Sequence, residues 1–208
     1  MIKLDVLTGS STSTTSHYLV SLAEVCTPLG IATSASTTGF VNSAIGYVSA
    51  EFESYCQRKL KAVDLLGSYD GDGSCWLNTQ NYPINSITTL KYRTAPNSAY
   101  TNIITNASDS ISANVVIYTT GIELYNYRFP VGSQSIQIYY NAGYSTIPDD
   151  LKMIAIEAVI DKIKQFNVVD GEQRLGISTK NTQGGTETYV SIAPQHKLIL
   201  DRYKKRLI

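Results

Sequence analysis

The stretch VGSQSIQIYYNAGYSTIPDDLKMI, which runs from Val131 to Ile154, decides the fold. Within it, Ile136, Ile138 and Tyr140 recur at every second position. This is the period of a β-strand that buries one face. The first half of the stretch therefore predicts a strand.

The second half of the stretch predicts a bend and then a helix. Gly143 supplies backbone freedom for the bend, and Pro148 suits the first turn of a helix, where its missing N–H would have no intrahelical partner. Asp149 and Asp150 follow, where the helix dipole favours negative charge. We expect this helix to run from Asp149 to about Asn167, with a broad apolar face.

Two helices are predicted near the N-terminus. Ser21 and Glu24 have capping-box spacing, so a short helix is expected to begin at Leu22 and stop at Gly30. After a small-residue linker at 33–39, apolar side chains at helical spacing predict a second, longer helix. They are Val41, Ala44, Ile45, Val48, Phe52, Tyr55 and Cys56.

Three basic residues follow this helix. Arg58, Lys59 and Lys61 are interpreted as cations that complement the negative end of the helix dipole. This interpretation gives them no functional role.

The chain from Gly67 to Asn141 is rich in β-branched and aromatic residues, with Gly, Pro and Asn at the turns. This composition predicts an antiparallel β-rich insertion. The candidate strands are 75–80, 86–93, 102–105, 115–118, 122–127 and 135–140.

The C-terminal region combines a glycine-rich stretch with a basic helix. Residues 170–188 predict a loop or arm with little core of its own, and a last helix is expected after Pro194. Five basic residues against Asp201 give the segment from Lys197 to Ile208 a local charge of plus four. It is interpreted in three ways: a solvated helix end, a docking arm for a protein partner, or a weak contact to phosphates.

These elements predict the fold class α+β in a single domain, residues 1–208. A helical bundle core is expected from the N-terminal helix pair, the helix at 149–167 and the C-terminal helix. The helical parts occupy 18–66 and 148–208, and the β-rich insertion occupies 67–146.

Composition argues against several function classes. The 17 basic residues balance the 17 acidic ones and 16% of residues are charged, so the chain lacks the basic footprint of a tight DNA-binding protein. No apolar run approaches membrane-spanning length, and the N-terminus does not read as a signal peptide. Three cysteines without Cys-x-x-Cys spacing indicate reduced thiols. We expect a soluble protein made in a reducing cytosol.

The chemistry-bearing residues do not form a recognised catalytic or metal motif. Residues 70–74 begin like an EF-hand loop, but Cys75 and Asn81 stand where that loop needs glycine and glutamate. Only His17 and His196 are available for histidine chemistry. We therefore expect no catalysis, no cofactor and no metal.

Two alternatives from other function classes stay open. Glu157 and Asp161, one helical turn apart, would suit a hydrolase, although surface helices often carry such pairs. Aromatic rings in the β region would suit a carbohydrate-binding module, but they would equally suit a core or a protein contact. These rings belong to Trp76, Tyr82, Tyr92, Tyr100, Tyr118, Tyr125 and Tyr127.

Three sequence blocks form a series. The first pairs YLVSLAEV at 18–25 with a helix that ends in ESYCQRKL at 53–60; the second is YDGDGSCWLNTQNYPINSITTL at 69–90. The third is the strand followed by AGY and PDDLK at 142–152. In this order the blocks resemble the head-tail connector (adaptor) proteins of tailed bacteriophages. The motif residues are Asp70, Gly71, Gly73, Pro83, Gly143, Tyr144, Pro148, Asp150 and Leu151.

The resemblance implies a structural role without a reaction. Such adaptors form a ring, typically a dodecamer, that docks beneath the portal protein in the virion neck after assembly in the host cytoplasm. The ring extends a channel through which DNA passes without specific binding, and it offers a platform to the next neck or tail-completion protein. A tail-completion protein is the alternative among phage proteins.

The resemblance also suggests a portal-docking arm at the C-terminus, which we expect to order only on its partner. Apolar anchors alternate there with basic residues. The predicted arm comprises Leu198, Ile199, Tyr203, Lys204, Lys205, Arg206, Leu207 and Ile208.

Overall fold

The structure is a computed structural model that describes residues 3–7, 17–30, 35–104, 115–125, 127–166, 179–182, 185–188 and 192–205. The chain divides into two compact units. A helical unit contains residues 15–57 and 147–204, and a β unit contains 1–14, 58–146 and 205–208. Four helices and antiparallel sheets confirm the α+β class. The single-domain organisation stays a prediction.

The helical unit contains the four predicted helices: α1 (Leu22–Leu29), α2 (Ala35–Cys56), α3 (Asp149–Phe166) and α4 (Pro194–Tyr203). Ser21 and Glu24 form the expected capping box at α1, and Gly30 ends it with a left-handed φ of 61°. In the described residues, no helix is long and apolar enough to cross a membrane.

The bounds of α2 correct the prediction at both ends. The helix begins at Ala35, within the expected linker, and it ends at Cys56. Gln57 then adopts a left-handed φ of 57°, which breaks the helical path. The helical part expected to reach residue 66 is therefore too long, because a strand already begins at Val63.

The core of the helical unit lies along α2, which contacts the other three helices. Its predicted apolar stripe is buried except for Tyr55, which is half-buried, and the inner face of α3 is buried as well. The buried side chains include Val25, Val41, Ala44, Ile45, Val48, Phe52, Cys56, Leu151, Ile154, Ala155, Ala158, Val159, Ile163 and Leu200.

In the residues that the structure describes, the β unit contains two antiparallel sheets. The larger sheet has the order β1-β2-β8-β4-β5 and consists of β1 (Lys3–Leu7), β2 (Val63–Gly71), β8 (Gly132–Ala142), β4 (Ile84–Tyr92) and β5 (Thr101–Ile104). The smaller sheet has the order β3-β7-β6 and consists of β3 (Trp76–Asn78), β7 (Gly121–Leu124) and β6 (Val115–Ile117). All six predicted strands are present, with shifted ends.

Both sheets bury apolar side chains in one core. Tyr69 and Tyr140 lie fully inside it, and their hydroxyl oxygens are 3.1 Å apart. The other members are Val63, Leu65, Leu77, Ile87, Leu90, Val115, Ile122, Leu124, Phe129, Ile136, Ile138 and Ala142.

Four strands were not predicted. β1 and β2 pair with each other, and β9 (Thr179–Thr182) pairs with β10 (Gly185–Thr188). The last pair lies in the segment predicted as a loop or arm. Residues 170–178, 183 and 184 of that segment lie outside the described residues.

Candidate functional site

Arg58, a residue of the first sequence block, contacts the second and third blocks in the β unit. Its side chain is buried, at 5% exposure. The guanidinium lies 4.0 Å from the Tyr82 ring centre and 5.4 Å from that of Tyr144. It donates hydrogen bonds to the Tyr82 carbonyl oxygen at 2.5 Å and to the Tyr144 hydroxyl at 3.3 Å. The interpretation of Arg58 as a dipole-complementing cation is therefore wrong, because the side chain is enclosed by aromatic rings.

The backbone around this Arg58 cluster explains why a glycine stands at position 143. The Gly143 N–H donates to the Pro83 carbonyl at 2.9 Å, and the Tyr144 N–H donates to the Leu60 carbonyl at 2.7 Å. Gly143 has a φ of 112°, and a Cβ there would lie 2.4 Å from the carbonyl oxygen of Lys61. Only glycine fits this crossing of two chain segments.

The glycine-rich turn is a packed β-bulge. Asp70 lies where the pairing of β2 and β8 shifts register, and its carboxylate accepts the Gln134 N–H at 2.8 Å. A Cβ at Gly71 would lie 1.9 Å from the carbonyl oxygen of Pro130. Gly73 has a left-handed φ of 84°. These motif residues therefore shape the backbone of the β unit.

The carboxylates of this turn accept hydrogen bonds from the turn and from the adjoining strand. Asp72 accepts hydrogen bonds from Ser74, including its N–H at 2.9 Å, and these bonds lower the pKa of Asp72. Within the described ranges, no group of three or more His, Cys, Asp and Glu side chains is placed to hold a metal ion.

The third block starts α3. The Pro148 carbonyl accepts the Lys152 N–H at 2.9 Å, and the Asp150 carboxylate accepts the Leu151 N–H at 2.8 Å. Leu151 is fully buried. The Tyr203 hydroxyl donates to the same Asp150 carboxylate, which joins the end of α4 to the start of α3.

The predicted docking arm is partly a packed helix. Leu200 and His196 of α4 are buried, while Ile199 and Tyr203 are half-buried. Leu198 is 72% exposed. The expectation that this whole segment orders only on a partner is therefore wrong for α4, because its inner face belongs to the core of the helical unit.

The basic residues of the predicted docking arm lie at its C-terminal end. The Lys204 ammonium lies 5.0 Å from the Tyr55 ring centre, and the Tyr55 hydroxyl donates to Asp201 at 2.8 Å. Lys205 is half-buried. Arg206, Leu207 and Ile208 lie outside the described residues.

Two of the four side chains considered for catalysis, His196 and Glu157, contact each other. The imidazole Nε2 lies 3.2 Å from a Glu157 carboxylate oxygen, and the ring meets Phe52 edge-on, with centroids 6.5 Å apart. One member of the Glu157 and Asp161 pair is thus engaged in joining α3 to α4. The contact therefore has a structural explanation, as a link between two packed helices.

The smaller sheet exposes an aromatic surface. Trp76, Glu123 and Val116 lie side by side across its three strands, on the face opposite the core. Tyr118 and Tyr125 continue this face along the chain, at 44% and 60% exposure. We call these five residues the aromatic face. The predicted rings thus divide: Tyr118, Tyr125 and Tyr127 are exposed, whereas Trp76, Tyr82, Tyr92 and Tyr100 are half-buried.

A second apolar surface lies on α3. Met153 is 58% exposed, and Ile156 and Ile160 are half-buried. Their spacing places them on one stripe of the helix. This α3 stripe is the part of the broad apolar face that the helical core does not cover.

Comparisons with known proteins show the fold. No family model and no curated protein matches the sequence. Solved structures with a similar fold include the neck of an empty GTA particle computed with C6 symmetry, the neck of the native GTA particle computed with C12 symmetry, and the virion of the native gene transfer agent (GTA) particle. Their TM-scores are 0.59, 0.58 and 0.60, at identities of 14%, 13% and 14%. Each match covers 100% of this chain and 97% of the other.

Proposed function

We propose that this chain is a structural head-tail adaptor in the neck of a phage-like particle. The observation that carries the proposal is the fold likeness to chains from GTA necks, which extends over the whole of this chain. The three sequence blocks support it, because their residues build the Arg58 cluster, the bulge and the start of α3. The role needs no reaction.

The assembled form that we propose is a ring. The structures that share the fold were computed with C6 and C12 symmetry. A ring closes by rotation when each subunit carries two different, complementary patches. The aromatic face and the α3 stripe are two different exposed surfaces that could supply such patches.

The ring is proposed to dock beneath the portal through the basic C-terminal end. Because Ile199 and Tyr203 already pack within the helical unit, we assign portal contact to Lys204, Lys205, Arg206, Leu207 and Ile208. The chain has a formal net charge of zero, which suits a channel that DNA must slide through, since strong cationic contacts would retard it. The opposite side of the ring would receive the next neck or tail protein.

Electron microscopy of the purified protein mixed with its cognate portal tests this function. We expect a ring on the narrow end of the portal. A variant that ends at Tyr203 tests the docking end, because it keeps α4 and removes only the charged end that follows it. We expect this variant to leave the portals bare, with the full-length protein as its control. Full-length protein that binds isolated tails and ignores portals would instead identify a tail-completion protein.

A further inference from the structure

Exposed apolar side chains concentrate on one part of the β unit. In the described part of the chain, nine large apolar side chains are exposed, and five of them lie between Val116 and Val131. Isolated exposed apolar residues are ordinary, whereas exposed apolar residues that share one face mark an interaction surface. Three of the five lie on the aromatic face, namely Val116, Tyr118 and Tyr125.

The aromatic face has a negative centre. The Tyr118 hydroxyl donates to the Glu123 carboxylate at 2.9 Å, and the Trp76 ring centre lies 4.8 Å from that of Tyr118. Rings around a carboxylate attract a cation through both the ring faces and the charge. The Trp76 and Tyr118 planes are tilted by 48°, so these two rings do not form the flat platform on which a sugar would stack.

The outer face of α4 has the complementary chemistry. Leu198 is 72% exposed, and Lys197 and Arg202 flank it and are exposed as well. Asp201, the acid of this helix, accepts the Tyr55 hydroxyl. The inner face is held by Leu200 and His196, so the helix presents its outer face on a packed support.

We propose that the aromatic face of one copy receives the outer face of α4 from the next copy. Leu198 would lie against the rings, and Arg202 or Lys197 would meet Glu123, since aromatic rings and arginine are the residue types that anchor protein interfaces. The two surfaces differ, so the contact is head-to-tail, as ring closure requires. This inference rests on the proposed ring.

A cross-linking experiment tests the contact directly. Thr119 lies next to Tyr118 and Gln195 lies on α4, and both are exposed. Thr119→Cys and Gln195→Cys are made separately in a Cys75→Ser background, because Cys75 is the cysteine that is not fully buried. The two proteins are mixed with cognate portal and treated with a short bismaleimide. We expect cross-linked dimers only in the mixture.

A charge exchange tests the same contact without cysteines. Glu123→Lys and Arg202→Glu are each expected to reduce ring occupancy on portals by about tenfold or more, and the double variant to recover most of it. Glu123→Gln separates the loss of the negative charge from its reversal, because it keeps an acceptor for the Tyr118 hydroxyl and removes only the charge. Circular dichroism melts of each variant confirm folding.

The outcomes separate the inference from the proposed function. Normal rings without the mixed cross-link, or with full occupancy in Glu123→Lys, overturn the inference and leave the adaptor function standing. A glycan array on which binding disappears with Tyr118→Ala and Tyr125→Ala, while rings persist, assigns the face to a sugar and also overturns it. Wild-type protein that leaves portals bare overturns both.

Discussion

Gly71 and Pro130 approach each other so closely that a Cβ on Gly71 would lie 1.9 Å from the Pro130 carbonyl oxygen. The same glycine donates its N–H to the Ser135 hydroxyl at 3.0 Å. The bulge in β2 and the segment before β8 are therefore built around a missing side chain.

Gly71→Ala is expected to destabilise the β unit by about 3 kcal/mol, because the neighbouring atom belongs to the backbone and cannot rotate away. Urea unfolding followed by tryptophan fluorescence measures the change, since Trp76 lies in this unit. Gly39→Ala is the control. Nothing lies within 4 Å of a Cβ there, so alanine in α2 is expected to stabilise by up to about 1 kcal/mol. Equal melting of both variants would contradict the bulge geometry.

Arg58→Lys is expected to destabilise the β unit by about 2 kcal/mol, although it keeps the charge. A lysine ammonium lacks the planar fork that bonds Tyr82 while lying over its ring. Denaturant unfolding gives the difference. Arg128→Lys is the control, because that side chain is exposed and the change should stay within about 0.5 kcal/mol. If Arg58→Lys left the free energy of unfolding unchanged, the Arg58 cluster would not contribute to stability.

Glu24 gives the helical unit a dependence on pH. Its carboxylate accepts the Ser21 N–H and pairs with Lys152 at 2.9 Å, which lowers its pKa to about 2 from 4.5. The stabilisation is full above pH 4.5 and is lost as the pH falls towards 2, because the unfolded chain takes up the proton first. With 37% of the side chain exposed, screening limits the effect to about 1 kcal/mol.

Glu24→Gln tests this effect, because glutamine keeps the capping bond and removes the charge. Thermal melts between pH 5 and 2 are expected to show a shallower loss of stability in the variant than in the wild type. Parallel curves for the two proteins would disprove the contribution of Glu24.

Leu200 and Leu198 provide a matched pair on α4. Leu200 is fully buried and Leu198 is 72% exposed. Leu200→Ala is expected to cost about 2–5 kcal/mol, and Leu198→Ala less than about 0.5 kcal/mol, as measured by urea unfolding. A test of the docking end must therefore truncate the chain after Tyr203, because removal of all of α4 would expose the helical core.

Local signals in the sequence predicted the helical unit well. Ser21, Glu24 and Gly30 fix α1 through contacts within one turn, and the apolar stripe of α2 repeats often enough to define a helix. The six strands with β-branched and aromatic residues were also predicted. In each case the signal that predicts the element lies in residues that are close in sequence.

Contacts between distant residues explain what the sequence did not reveal. β2 contains Asp64 and Gly67, which disfavour strands, and it is a strand because β1 and β8 pair with it on both sides. Arg58 reaches Tyr82 and Tyr144, 24 and 86 positions further along the chain. Helix and strand periodicity cannot predict contacts between such distant residues. The position of Arg58 at the end of a helix is what the sequence shows, and it indicates a cation that complements the helix dipole.

The backbone hydrogen bonds that Tyr144 makes with Leu60 and Ala62 have a consequence for changes in chain length. The Tyr144 N–H meets the Leu60 carbonyl, and the Ala62 N–H meets that of Tyr144. The chain between these points therefore forms a closed segment, whose two ends are hydrogen-bonded to each other. Residues can be inserted or removed inside this segment without moving the two points at which it closes.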